Sequence, residues 1–98
     1  MIRIENKRKY RGAGIYIGRP SLLGNPYSVS VYGRQKAIRL YRQWLWDRIK
    51  ERGEVYAELK RLAEIVKQGD LTLICWCAPD PCHGDQVKRS IEWLNSTE

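Results

Sequence analysis

Two short segments of the chain carry the side chains best suited to chemistry. The first runs from Cys75 to Asp85 and holds all three cysteines and the only histidine, His83. Its sequence predicts the end of an apolar strand, a turn with two prolines and the start of a helix. A helix N-terminus attracts anions and lowers the pKa of a thiol. We therefore predict a ligand-binding or reaction site that includes Cys82, His83 and Asp85.

Three interpretations of this segment compete. In the first, Cys75 and Cys77 are buried on one face of the strand and Cys82 packs against it, since free cysteine is usually buried. In the second, the three cysteines and His83 bind zinc, although their spacing is unusual for a structural zinc site. In the third, the segment is catalytic, with Cys82 as a nucleophile or with His83 and Asp85 as an acid–base pair.

The second segment is the loop Gly18–Tyr27, which follows a predicted strand directly. The Arg19 guanidinium can bind a phosphate or carboxylate through two hydrogen bonds, and glycines let a ligand approach the backbone closely. A purely structural loop that starts a turn at Asn25 is the alternative. The candidate ligand-binding residues are Tyr16, Gly18, Arg19, Ser21, Gly24, Asn25, Tyr27 and Cys75.

Together, Tyr16 to Pro26, a helical middle and Cys75 to Asp85 resemble the domain-of-unknown-function family numbered 4326, over nearly the whole chain. The resemblance implies that the two segments meet at one site. Members of that family occur in phages and bacteria. By analogy, a phage setting favours a role against host defence, such as capture of a nucleotide signal.

Regular elements must position these segments. Apolar residues recur at helical spacing over residues 34–51 and 54–68, and a final helix is predicted from about residue 82 to 95. Strands are predicted at residues 1–5, 14–18 and 71–76, the last apolar on both faces and therefore central and covered by helices on both sides. The fold class is α/β: a single Rossmann-like domain over residues 1–98, with a small, mainly parallel sheet covered by about three helices.

The charge balance indicates an anionic partner. The 98 residues carry 18 basic and 11 acidic side chains, for a net charge of +7. Such a surplus favours nucleotides or nucleic acid, and the basic run Lys7–Arg11 can contact phosphates, although most such runs are solvated loops. No apolar segment is long enough to span a membrane, and no signal peptide is visible, so we expect a cytoplasmic protein with reduced thiols.

Aromatic side chains outside the helical stripes suggest further contacts. Leu40, Trp46 and Trp93 lie off the inward faces of their helices, which fits either a homo-oligomer interface or the partly covered edge of a small core. Tyr16, Tyr27 and Trp76 lie beside the two segments, where aromatic rings suit stacking on a base. For Trp76 we expect packing in the core instead.

We predict that the protein binds a phosphate-bearing small molecule, most simply a nucleotide or a nucleotide-derived signal. Arg19 and the helix start after Pro81 would hold the phosphate, and Asn25 with nearby aromatic rings would contact the base or ribose. The alternatives are an enzyme that acts on a nucleotide or a nucleic-acid base through Cys82 and His83, and a nucleic-acid-binding module. No cofactor is predicted, with zinc as the alternative.

Overall fold

The structure is a computed structural model that describes residues 1–77 and 82–97. Three strands, β1 (Ile2–Asn6), β2 (Ile15–Tyr16) and β3 (Leu71–Cys75), form one sheet in the order β1-β3-β2. Both outer strands pair with β3 in parallel. The predicted small α/β fold with a parallel sheet is therefore confirmed.

Four helices accompany the sheet: α1 (Val29–Tyr32), α2 (Arg34–Glu51), α3 (Glu54–Gln68) and α4 (His83–Thr97). The bounds of α2 and α3 are those predicted from the sequence. No helix in the described part of the chain is both long and apolar enough to cross a membrane.

Helix α2 forms because apolar side chains repeat on one face. Ala37, Tyr41, Leu45 and Ile49 are spaced by four residues, and all are buried. The helix ends where Arg52 adopts a left-handed conformation (φ 60°) and its N–H donates to Ile49 O at 3.1 Å. Burying a side chain such as Leu45 stabilises the fold by about 1.5–3 kcal/mol.

Helix α1 was not predicted. Its four residues follow the loop Gly18–Tyr27 closely, and they are too few to show a helical repeat. Ser28 caps it, because the Ser28 hydroxyl accepts a hydrogen bond from Ser30 N at 3.2 Å. Gly33, with φ of 79°, then separates α1 from α2.

Strand β3 is central but it is not covered on both sides, contrary to the prediction. Leu71, Leu73 and Cys75 point to the side where α3 and α4 pack, and they are at most 3% exposed. Thr72 and Ile74, on the opposite face, are only partly buried. The fold is therefore a two-layer arrangement in which one face of the sheet forms the core.

Two aromatic residues of the predicted oligomer surface contact each other. The rings of Trp46 and Trp93 meet edge to face at 5.0 Å, with Trp46 half-buried and Trp93 38% exposed. Self-association through this surface stays a prediction.

Candidate functional site

A cavity of about 140 Å³ lies between the two segments, at the carboxyl ends of β2 and β3. The loop after β2 contributes Gly18, Arg19, Asn25 and Tyr27, with Val29 beside them. The segment around the start of α4 contributes Trp76, Cys77 and His83. The two segments thus meet, as the family resemblance implied, at the edge of the sheet where parallel α/β folds usually bind ligands.

Arg19 is the positively charged side chain among the described residues that line this cavity. Its side chain is exposed, and it forms no ion pair with any residue that the structure describes. No carboxylate is present among the described residues that line the cavity. Among the described lining residues, Arg19 therefore carries the one formal charge, and an anionic group can reach its guanidinium.

The loop folds tightly around Arg19 because Gly24 has no side chain. A Cβ atom at Gly24 would lie 3.0 Å from both Cα and N of Arg19, which are backbone atoms that cannot move aside easily. Two backbone hydrogen bonds, from Ser21 N to Gly18 O and from Gly24 N to Ser21 O, close the turns between them. Gly24 is thus a positioning residue, and it does not line the cavity.

The Asn25 side chain joins the loop to helix α2 through a hydrogen bond. Its Nδ2 donates to Ala37 O at 3.3 Å, and its Oδ1 accepts from Tyr27 N at 2.8 Å. The second bond is an Asx turn, which orients Tyr27 toward the cavity. Both polar atoms of the Asn25 side chain are thus already engaged, so its contribution to ligand contact is secondary to its structural role.

His83 is held as a neutral ring. Its Nε2 lies 2.7 Å from Ile17 O, and since a carbonyl oxygen only accepts, Nε2 carries the proton. Burial lowers the pKa of His83, the hydrogen bond to Ile17 opposes this, and the charge of Arg19 lowers the pKa further. Nδ1 of the neutral ring is therefore an acceptor, suited to a hydroxyl or amino group of a ligand.

Tyr41 joins the two segments from α2. Its hydroxyl donates to Leu23 O at 2.7 Å, and its ring packs edge to face against His83 at 5.1 Å. Burial raises the pKa of Tyr41, so it remains a neutral donor. This role was missed, because the spacing of α2 predicted Tyr41 only as an inward-facing residue.

The thiols of Cys75 and Cys82 lie in the core rather than in the cavity. Both residues are at most 3% exposed, and their sulfur atoms are 3.4 Å apart. The hydrogen bond with Cys75, followed by burial, raises the pKa of Cys82 well above its ordinary value. A nucleophilic cysteine needs a lowered pKa and access to substrate, so this geometry does not favour Cys82 as a nucleophile.

Cys82 and Asp85 instead cap helix α4. Cys82 Sγ accepts from Gly84 N at 3.3 Å, and Asp85 Oδ2 accepts from Cys82 N at 3.3 Å. This pair resembles a capping box, with a thiol in place of the usual hydroxyl and with Gly84 N rather than Asp85 N as the donor to it. Residues 78–81, which hold the two prolines of the predicted turn, lie outside the described residues.

Trp76 is 48% exposed and lines the cavity, so the prediction that it packs in the core was wrong. Its Nε1 donates to the Tyr16 hydroxyl at 2.9 Å, and that hydroxyl donates to Arg19 O at 2.8 Å. Tyr16 therefore supports the cavity from behind without lining it. A Cβ atom at Gly18 would overlap the Tyr16 hydroxyl, so Gly18 is required for this arrangement.

The described residues contain no group of three or more His, Cys, Asp or Glu side chains arranged to hold a metal ion. Strand β3 ends at Cys75, and the two neighbouring cysteines differ in environment: Cys75 is in the core and Cys77 lines the cavity. The alternation expected to place them on one face stops with the strand.

The family model for a domain of unknown function (DUF4326) matches residues 2–93 of the 98-residue chain. The chain belongs to the DUF4326 family. The match includes both segments of the cavity and so confirms the resemblance seen in the sequence. No curated protein and no solved structure matches this DUF4326 domain.

The remaining predicted site residue of this DUF4326 domain, Ser21, does not line the cavity. Its hydroxyl is buried and has no hydrogen-bond partner among the described residues. Trp76 and Cys77 line the cavity, although neither was among the predicted site residues. For Trp76 the signal was its position directly after an apolar strand, at the carboxyl edge of the sheet.

Proposed function

We propose that this DUF4326 domain binds a phosphate-bearing small molecule, a nucleotide or a nucleotide-derived signal, in the cavity between the loop Gly18–Tyr27 and the residues Trp76, Cys77 and His83. The proposal depends on the setting of Arg19. This arginine forms no ion pair with any described residue, and the described residues that line the cavity beside it include no carboxylate. Arginine is well suited to phosphate because its planar guanidinium donates two parallel hydrogen bonds.

The other lining groups suit the rest of a nucleotide. Trp76 and Tyr27 offer aromatic faces or edges for a base, and the unprotonated Nδ1 of His83 can accept from a ribose hydroxyl. A role in conflict between phage and host stays a prediction from the family resemblance.

The test is calorimetric titration with adenosine, guanosine and their 5′-monophosphates, with inorganic phosphate as a further ligand. We expect a nucleotide to bind and its nucleoside to bind at least tenfold more weakly. Arg19→Ala removes charged hydrogen bonds worth about 1.5–3 kcal/mol, so we expect the nucleotide Kd to rise about 10- to 100-fold.

Arg39→Ala is the matched control, because Arg39 is an exposed arginine that does not line the cavity. It removes the same charge and leaves the cavity intact. Equal losses for Arg19→Ala and Arg39→Ala, or no binding of any nucleotide, would overturn the proposal.

A further inference from the structure

Two basic side chains lie beside the cavity, over one of its aromatic rings. The Lys7 ammonium is 5.9 Å from the centre of the Trp76 ring and 5.2 Å from that of Tyr16. The Arg8 guanidinium is 5.7 Å from the centre of the Trp76 ring. We call Lys7, Arg8, Tyr16 and Trp76 the basic edge. Lys7 and Arg8 are exposed, and neither forms an ion pair within the described part of the chain.

The basic edge is fixed in place by backbone contacts. Lys7 N donates to Cys75 O at 2.8 Å, and Asn6 Nδ2 donates to Trp76 O at 3.0 Å. These bonds hold the residues after β1 against the end of β3. The Trp76 ring is fixed in turn by its hydrogen bond to Tyr16, which also holds the backbone of Arg19. Lys7 and Arg8 are therefore held near one aromatic ring, and the backbone of Arg19 is bonded to the same Tyr16 hydroxyl.

The size of the cavity requires part of the ligand to lie outside it. Its volume of about 140 Å³ is below the roughly 300–1,000 Å³ of pockets that enclose a whole small molecule. Trp76 belongs both to the cavity and to the basic edge, so a ligand that leaves the cavity over Trp76 reaches Lys7 and Arg8. Cations alternating with an aromatic ring match the phosphate and base repeat of a single strand.

We propose that the ligand is an oligonucleotide, with part of one nucleotide in the cavity beside Arg19 and the next nucleotide stacked on Trp76, its phosphodiester contacting Lys7 and Arg8. This inference rests on the proposed function and specifies its ligand class. The sequence left both phosphate contact and a solvated loop open for the basic run Lys7–Arg11, and the proposal makes Lys7 and Arg8 of this run the second half of the site.

The experiment separates the length of the ligand from its charge. Binding of adenosine and guanosine monophosphates, the corresponding triphosphates, dinucleotides with a 5′-phosphate, and single-stranded eight-residue DNA and RNA is measured at several salt concentrations. We expect the dinucleotide to bind about tenfold more tightly than the monophosphate and more tightly than the triphosphate. Two additional phosphate contacts in the eight-residue strand predict a slope of log K against log salt steeper by about 1.4.

The double variant Lys7→Ala/Arg8→Ala tests the basic edge. Both side chains are exposed, so the variant should fold, which circular dichroism checks. We expect the ratio of dinucleotide to monophosphate affinity to fall to near one, and the additional salt slope to disappear. Arg42→Ala/Arg89→Ala, which removes the same charge from the cleft between α2 and α4, should leave the ratio near ten.

The outcomes separate the two proposals. One outcome is that a monophosphate binds through Arg19 while the dinucleotide binds no more tightly than the monophosphate, or no more tightly than the triphosphate. In that case the oligonucleotide proposal is wrong and the nucleotide-binding proposal remains. If affinity increases with ligand length but Arg42→Ala/Arg89→Ala abolishes this increase, the strand binds along the α2–α4 cleft. The proposal that it binds at the basic edge is then wrong. If nothing binds, both proposals fail.

Discussion

The two segments that form the cavity use their side chains in opposite ways. The loop Gly18–Tyr27 contains no reactive side chain, yet it places Arg19 and Tyr27 at the cavity. The segment that begins at Cys75 contains the cysteines and the histidine, yet it buries two of the thiols and uses one of them to cap a helix. The presence of cysteine or histidine in a segment therefore does not show which of its residues line the cavity.

The largest effect that would test this contrast is at Gly84. A Cβ atom there would lie 3.2 Å from Cys82 Sγ and from Ile4 Cγ2, and 3.3 Å from Ile17 Cδ1. The additional methyl groups of valine have no room, so we expect Gly84→Val to lower the free energy of unfolding by about 3 kcal/mol, measured by urea denaturation.

Gly53→Val is the control for Gly84→Val, since a Cβ atom at Gly53 meets nothing within 4 Å. Gly53 has a φ of −93°, which any residue can adopt, and we expect a change of at most about 1 kcal/mol there. Equal effects at the two positions would show that the start of α4 is not tightly packed.

Tyr41→Phe tests how the two segments are joined. The variant keeps the ring against His83 but leaves the buried Leu23 O without the Tyr41 donor. We expect a loss of about 1–2 kcal/mol in the free energy of unfolding, with nucleotide affinity reduced as the loop loosens. A variant as stable as the wild type would mean that Leu23 O is satisfied in another way.

Cys82→Ala tests whether the thiol is structural. Removal of the sulfur that accepts from Gly84 N should lower the free energy of unfolding by about 1 kcal/mol, and Cys82→Ser, which keeps an acceptor, should lose less. We expect nucleotide binding to persist in both folded variants. Rapid alkylation of Cys82 in the folded wild-type protein at pH 7 would contradict a buried, capping thiol. It would support the alternative that Cys82 is a nucleophile.

The smallest expected effect is a pH dependence due to His83. Its pKa is lowered in the folded protein from the ordinary 6.5, chiefly by burial. Below pH 6.5 the unfolded chain binds a proton that the folded chain does not, so the free energy of unfolding falls as the pH falls, and levels off below the folded pKa.

Since His83 is the only histidine, denaturation curves at about pH 5.5–7.5, above the carboxylate range, should report this group alone. His83→Gln should remove the slope between pH 5.5 and 6.5. A wild-type protein whose stability rises as the pH falls through this window would mean that His83 gains a partner when it is protonated.

Local sequence patterns sufficed for the long elements. Helices α2 and α3 follow from apolar residues at helical spacing, and they begin and end at the predicted residues. Strand β2 is only two residues long, and α1 only four, so neither leaves a clear repeat. The capping role of Asp85 was also hidden, because cysteine is not a usual N-cap residue.

The composition of the site depends on strand order, which no local pattern encodes. Arg19, Asn25, Tyr27 and His83 were predicted from the two segments, and the structure brings them together. The place of Lys7 and Arg8 beside Trp76 follows from the pairing of β1 with β3, whose partners are some 70 residues apart in the chain. Trp76 was assigned to the core because the apolar strand was predicted one residue too long.

The strand order β1-β3-β2 has a consequence for how the protein is made. Each outer strand pairs only with β3, which is the last of the three to leave the ribosome. While the first 70 residues are emerging, helices α2 and α3 can form from local contacts, but the sheet lacks its central member. Pairing over such distances carries the entropic cost of a large closed loop, which slows folding. The cavity, lined by residues that follow β2 and β3 and by His83 of α4, is therefore completed only after the start of α4 has been synthesised.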